Sequence, residues 1–198
     1  MRKTPQQFRR DNVKKLHEKI LQDNKTVFSP LSMSTHESIE DDFTTVDLSF
    51  SEKTLNSNKI VQLRGIKANG FVDGLFIGLY NNYVKNYNSL SKLKLVDLMV
   101  NPIMKAATNR GSDAKTSVLF RVEVEGHGVS EFQHKSRSMI YSSFVSALEV
   151  FQFYINCERT FQKIKLVIED AEARNRGDIV QSCMTDLSKL TEVNTYAK

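Results

Sequence analysis

An alternation of side-chain character over residues 117–125 constrains the fold more than any other feature. Val118, Phe120, Val122 and Val124 point one way, and Arg121, Glu123 and Glu125 point the other. A period of two with one apolar and one charged side marks a half-buried antiparallel strand. The same period recurs elsewhere. Val46, Leu48 and Phe50 alternate with Asp47 and Ser49, and residues 59–66 and 92–99 read as further strands. Residues 70–80 read as a strand punctuated by Gly70, Gly74 and Gly78, where glycine signals a bulge or a close backbone approach. Ile164, Leu166 and Ile168 alternate with Lys163, Lys165 and Glu169 and predict one more strand.

Three segments switch to the helical period. Over residues 5–22, Thr4 caps, Pro5 fits the first turn, and Val13, Leu16 and Ile20 make one apolar stripe. Over residues 136–154, Ile140, Phe144, Ala147, Leu148 and Phe151 line one face. Asp178 is placed to cap a last helix carrying Val180, Cys183, Met184, Leu187 and Leu190. Residues 24–42 read as a polar loop with room for one short strand. Residues 81–91 read as turns, the stretch from Pro102 to Gly111 as a loop, and Gly126-His127-Gly128 as a strand-ending turn. No internal repeat is visible. Alternating strand–helix–strand units are absent, which excludes a doubly wound parallel sheet. The expected fold is mainly β, a β-rich α+β domain. It is an antiparallel jelly-roll-like sandwich with one inserted amphipathic helix, flanked by N-terminal and C-terminal helices. The expected boundaries are a basic arm over 1–25, a core over 26–170 and a helical tail over 171–198.

With 198 residues, 40% of them apolar, the chain can build a core. Its two cysteines, Cys157 and Cys183, exclude a disulfide scaffold and a cysteine-rich zinc module, and both read as core-type thiols. No apolar run follows the first basic residues, so no secretory signal is expected. The longest apolar stretch, Phe71 to Tyr80, falls well short of the ~20 residues that cross a bilayer.

The formal charge is +5, and all of it lies in residues 1–25, which hold eight bases and three acids. Such an arm attracts polyanions or an anionic membrane face. The candidate nucleic-acid contacts are Arg2, Lys3, Arg9, Arg10, Lys14 and Lys15, with Lys92 and Lys94 as a second group and Lys163 and Lys165 on further polar faces. The alternative is that the arm lies on membrane through Val13, Leu16 and Ile20. Catalysis is not expected: no nucleophile elbow, phosphate loop or dinucleotide fingerprint is present. No cofactor and no metal are expected either, because His127 and His134, beside Glu123, Glu125 and Glu131, match no ligand spacing. Asp97 is the odd residue. It shares a strand phase with Leu93, Leu95 and Met99, which predicts a carboxylate turned toward the core, unless it begins a turn.

The succession Ile60–Lys67, Gly70–Gly78, Leu93–Met99 with Gly111 after it, Val118–Val124 and the helix 136–154 resembles the core of the 30K superfamily of plant-virus movement proteins, over roughly residues 27–170. Leu95-Val96-Asp97 stands where that family has its Leu-x-Asp signature, so the resemblance makes Leu95, Asp97 and Gly111 structural-motif residues. A compact version suits a plant rhabdovirus. The resemblance implies a jelly-roll-like domain that binds single-stranded RNA or viral nucleocapsid without sequence preference. It also implies peripheral membrane contact, possible self-association, host plasmodesmal partners and location at plasmodesmata, with no reaction catalysed. The alternatives are a viral matrix protein linking nucleocapsid and membrane, a silencing suppressor that binds duplex RNA, and a cellular β-rich domain with an incidental basic arm.

Overall fold

The computed structural model describes residues 4–38, 40, 42–103 and 115–196. Gly111, with the loop around it, and Arg2 and Lys3 lie outside the described residues. The elements are α1 (Pro5–Leu21), β1 (Val27–Ser38), β2 (Phe43–Thr54), β3 (Ser57–Ala68), α2 (Phe71–Tyr83), β4 (Leu93–Ile103), β5 (Lys115–Val124), β6 (Gly128–Ser136), α3 (Met139–Ala173) and α4 (Gly177–Thr191). Single 3-10 turns cover Gln22–Asn24 and Asn88–Lys92. The fold is mixed α+β. β1-β2-β3 form one antiparallel sheet and β4-β5-β6 another, each a simple meander. Neither sheet shows the crossovers of a jelly roll among the described residues. The sequence has no visible repeat, yet the element order does: three strands and a helix, twice.

Two expected strands are helices. Residues 71–83 form α2 because its apolar residues recur four apart: Leu75, Leu79 and Tyr83 are buried together with Gly74 and Gly78. The glycines serve close approach to a sheet rather than a bulge. A Cβ on Gly74 would stand 2.6 Å from Cγ2 of Val46, and one on Gly78 would stand 2.5 Å from Cδ1 of Ile66. Residues 163–169 belong to α3, which runs for 35 residues, about 52 Å at the helical rise. There Ile164, Ile168 and Ala171 turn inward at i, i+4 and i+7, while Leu166 is 66% exposed. The apparent period of two was a four-residue period with an exposed leucine between. Two strands are longer or newer than the sequence suggests: β1 fills the segment read as loop, and β6 follows the Gly126–Gly128 turn, where both glycines take positive φ.

The helices carry the inner faces of both sheets. α2 packs on β2 and β3; α3 packs on β5, β6 and the start of β1; α1 packs on α3 and β6. Aromatic rings join the layers. Phe76 of α2 meets Phe120 of β5 at 5.4 Å and Phe151 of α3 at 5.6 Å, and Phe50 of β2 meets Phe144 of α3 at 6.4 Å. Val13 and Leu16 of α1, and Leu190 and Val193 at the C-terminal end, belong to the same buried cluster as the sheets. The segments expected as an arm and a tail are therefore parts of one core.

A polar row on α3 pins the chain ahead of β1. Asn156 Oδ1 accepts from the Thr26 N–H at 2.8 Å, and its Nδ2 donates to the Thr26 carbonyl at 2.8 Å. Gln152 Oε1 accepts from the Phe28 N–H at 2.7 Å, and Arg159 donates to the Thr26 hydroxyl and to Asn24. Glu158 receives the Ser89 N–H and hydroxyl at 3.0 and 2.6 Å, which anchors the turn leading into β4.

The glycine contacts of α2 generate a comparison. Gly74→Ala should cost about 1–3 kcal/mol, because Val46 is short, β-branched and fully buried and has no room to yield. Gly78→Ala should be near neutral: the flexible end of Ile66 can rotate away, and the gain in helix propensity is about 1 kcal/mol. Urea unfolding of both variants measures the difference.

Candidate nucleic-acid interface

The bases of α1 do not form a free electrostatic arm. Thr4 and Gln7 close a capping box that starts the helix, and Val13, Leu16, His17 and Leu21 bury its inner side. Arg9 lies 3.7 Å from Glu192, Lys25 lies 3.7 Å from Glu18, and Lys19 lies 2.6 Å from the buried Asp186. Arg10 sits 4.9 Å over the Phe132 ring. Lys14 and Lys15 are exposed, but they line a shallow groove with Asp11, Glu18, Asn12 and Phe8, so that surface carries both signs. Sequence counts net charge along the chain. Docking gives most of these bases a partner of opposite sign or a ring.

Lys92 ends the 3-10 turn and is half-buried; Lys94 is exposed on β4 opposite Glu123. β4 is one edge of its sheet, and α1 packs against β6 at the other edge. The two expected basic groups therefore stand on opposite sides of that sheet and do not form one surface. Lys163 and Lys165 project from the outer half of α3, with Lys165 5.9 Å over the Phe161 ring.

Leu95 is half-buried opposite Val122, as expected. Asp97 is not turned to the core. A bulge between Leu95 and Asp97 inserts one residue and reverses the strand phase, bringing Asp97 into register with Arg121. Arg121 Nη1 lies 3.2 Å from Asp97, and its Nε lies 3.0 Å from Glu131. These three form a cross-strand charge ladder on the outer side of the sheet.

The outer face of the first sheet was not singled out by the sequence. On β2, Thr44, Val46, Leu48 and Phe50 point inward, while Phe43, Thr45, Asp47, Ser49 and Ser51 point outward and are half-buried between neighbours. Ser29, Ser32, Ser34 and His36 of β1 and Gln62, Arg64 and Lys67 of β3 share that outer side and are exposed. The central acid is already engaged. Asp47 accepts from the Gly65 N–H at 2.7 Å and from the Ser34 hydroxyl at 3.3 Å, with Gly65 at φ +66 in the β2–β3 bulge. Lys67 Nζ lies 4.6 Å over the Phe43 ring, and Arg64 Nη2 donates to Gln62. Among the described residues Lys53, Arg64 and Lys67 have no acidic partner. Thr45 opposite Lys67 and Lys53 are eight residues apart, so these cations span about 27 Å of open sheet. Arg64 and Lys67 also border a groove of about 540 Å³ between β3 and α2, where Asn81 and Asn82 face them. Strand alternation could have revealed this face, but its cations are spaced too widely to read as a cluster.

No group of three or more metal-ligating side chains occurs among the described residues. His127 Nε2 lies 2.7 Å from the Thr195 hydroxyl, and His134 faces Tyr141. Cys157 is fully buried, and burial pushes its thiol well up; Cys183 is half-buried. His17 is 4% exposed, 5.4 Å from the Phe153 ring, with Nε2 unpartnered. Burial, helped by the charges of Lys14 and Lys25, lowers its pKa from the ordinary 6.5 to about 3.

Between those two values the unfolded chain binds the His17 proton and the folded chain does not. Stability therefore falls as pH drops below 6.5, by ~1.4 kcal/mol per unit, or about 2 kcal/mol at pH 5. His17→Leu should flatten that part of the stability–pH curve, measured by urea unfolding from pH 7.5 to 5. Asp97→Ala should cost less than about 1 kcal/mol, because the pair is half exposed and Glu131 still holds Arg121. Compared with known proteins, the chain matches no family model and no curated protein.

Proposed function

We propose that this protein binds single-stranded nucleic acid without sequence preference on the outer face of the β1-β2-β3 sheet and catalyses no reaction. One observation carries the reading: Lys53, Arg64 and Lys67 stand free of acids on an open face lined with hydroxyls and carboxamides, with Val27 and Ile60 exposed among them. A flat sheet lets a flexible strand lie along it. Unpaired cations replace counterions on the phosphates. The Phe43–Lys67 pair offers a ring and a charge to an unstacked base, which duplex would not present. Hydroxyls and amides bond sugar and phosphate whatever the sequence.

In a virus-encoded chain this activity fits carriage of a genome or nucleocapsid between plant cells, with plasmodesmal proteins and membrane periphery as its surroundings. That role rests on the resemblance of Leu95-Val96-Asp97 and the segments around it to the 30K movement proteins. The family's jelly roll, with strands at 70–78 and 163–169, is not part of the proposal. Burial of Val13 and Leu16 weighs against a matrix-type attachment of α1 to membrane, since the docked helix has already spent that stripe.

Fluorescence anisotropy of a labelled single-stranded oligonucleotide across a salt series tests the binding. The combined variant Lys53→Gln, Arg64→Gln, Lys67→Gln should weaken binding and lower the slope of log affinity against log salt by roughly 2, at ~0.7 per phosphate contact. Lys14→Gln with Lys15→Gln should leave the slope unchanged. The reverse outcome would move the interface to α1. Complementation of a movement-deficient virus by the wild-type chain, lost in the sheet variant, tests the transport role.

A further inference from the structure

Every strand at the rim of a sheet exposes a row of backbone N–H and C=O groups, and a stable monomer has to blunt it. Among the described residues, three of the four rims are blunted along most of their length. β6 is flanked by α1. β1 carries Pro30 and a bulge beside it, and its start is pinned by Gln152 and Asn156. β3 carries the Gly65 bulge and the charges Lys59, Arg64 and Lys67. β4 differs. It too has a bulge, near its start, and a proline, Pro102, near its end, but between them Leu98–Asn101 runs in unbroken register with β5 and holds no charged side chain. Its apolar groups are exposed on both sides: Leu98 and Val100 on the inner side, Met99 and Ile103 on the outer, each between 37% and 39%.

We propose that β4 pairs antiparallel with β4 of a second copy of this chain, joining two three-stranded sheets into one of six strands. The side chains select the register. Residues directly opposite must share a side of the sheet, and a two-fold axis through Met99 satisfies this. It places Leu98 against the partner's Val100 and Met99 against the partner's Met99. It also places Asp97 against the partner's Asn101, where a carboxylate meets a carboxamide donor. No like charges are opposed. Pro102, which has no N–H to offer, falls opposite the bulged Val96, where the ladder is already interrupted. Backbone pairing alone is a small interface; the apolar side chains on both sides of β4 supply the remaining burial.

The test uses the full chain, nuclease-treated and at high salt so that no polynucleotide bridges two molecules. Light scattering after size exclusion at about 100 µM should show a dimer that dissociates on dilution. Val100→Lys should weaken the dimer at least tenfold while leaving circular dichroism unchanged. In a Cys183→Ser background, Met99→Cys sits on the axis and should form an intermolecular disulfide under mild oxidation. That variant keeps the proposal testable if the lysine disturbs folding. A wild-type chain that stays monomeric at this concentration would overturn the proposal. So would a dimer unaffected by Val100→Lys, or a dimer in which Met99→Cys does not cross-link.

Discussion

The carboxamide of Asn156 holds both backbone groups of Thr26, and the rest of the architecture depends on that clasp. Both residues are buried, so a backbone donor and acceptor would otherwise sit dry and unpaired, at about 1–3 kcal/mol each. The clasp fixes where β1 starts against α3. Gln152 and Arg159 extend the same contact by a turn on either side, and Glu158 ties down the turn that launches β4. One helix thereby sets the position of both sheets. This explains why these polar residues lie in the middle of a long buried helix: Gln152, Asn156 and Glu158 each bind a backbone group, and Arg159 binds the side chains of Thr26 and Asn24.

With that frame set, the aromatic rings can interlock. Phe76 and Phe120 join α2 to the second sheet, and Phe50 and Phe144 join α3 to the first. The glycines of α2 let its backbone come within contact of Val46 and Ile66, which brings Phe76 within reach of Phe120. Each sheet spends one side on this core. The other side is left for solvent or a ligand, and the two outer sides differ in chemistry. On the second sheet, Arg121 is shared between Asp97 and Glu131, which leaves that ladder with a net negative charge. On the first, the central acid is bound to backbone and the cations at the rim stay free.

Docking of α1 redistributes the charge of the molecule. The net excess of positive charge belongs to residues 1–25, but charge along a chain is not charge on a surface. Glu18, Asp186 and Glu192 meet three of its bases, and Phe132 meets a fourth. Asp186, Glu192 and Phe132 come from distant parts of the chain, so no local window could show those contacts; only the Lys25–Glu18 pair is local. The opposite happens on β3. Arg64 and Lys67 look unremarkable in sequence and become a patch only because the bulge at Gly65 and the inward phase of Leu63 and Ile66 turn them to one side.

The last helix forms where expected, although Arg176 rather than Asp178 stands at its N-cap and Met184 of its stripe is 51% exposed. The alternation of β2 and β5, the cap and stripe of α1 and the inner face of α3 from Phe144 to Phe151 were legible in the sequence. In each, the local period and the burial coincide, so sequence neighbours carry the information. Tertiary structure decided the remainder. Glycines that suit a bulge also suit a helix pressed on a sheet, and Val46 and Ile66 settled that choice from across the fold. Ile164 and Ile168 satisfy a period of two and a period of four alike, and the packing of α3 selected the latter. Asp97 was aimed at the core until one bulged residue reversed its phase, because a period-two strand has no way to absorb an odd insertion without exchanging its sides.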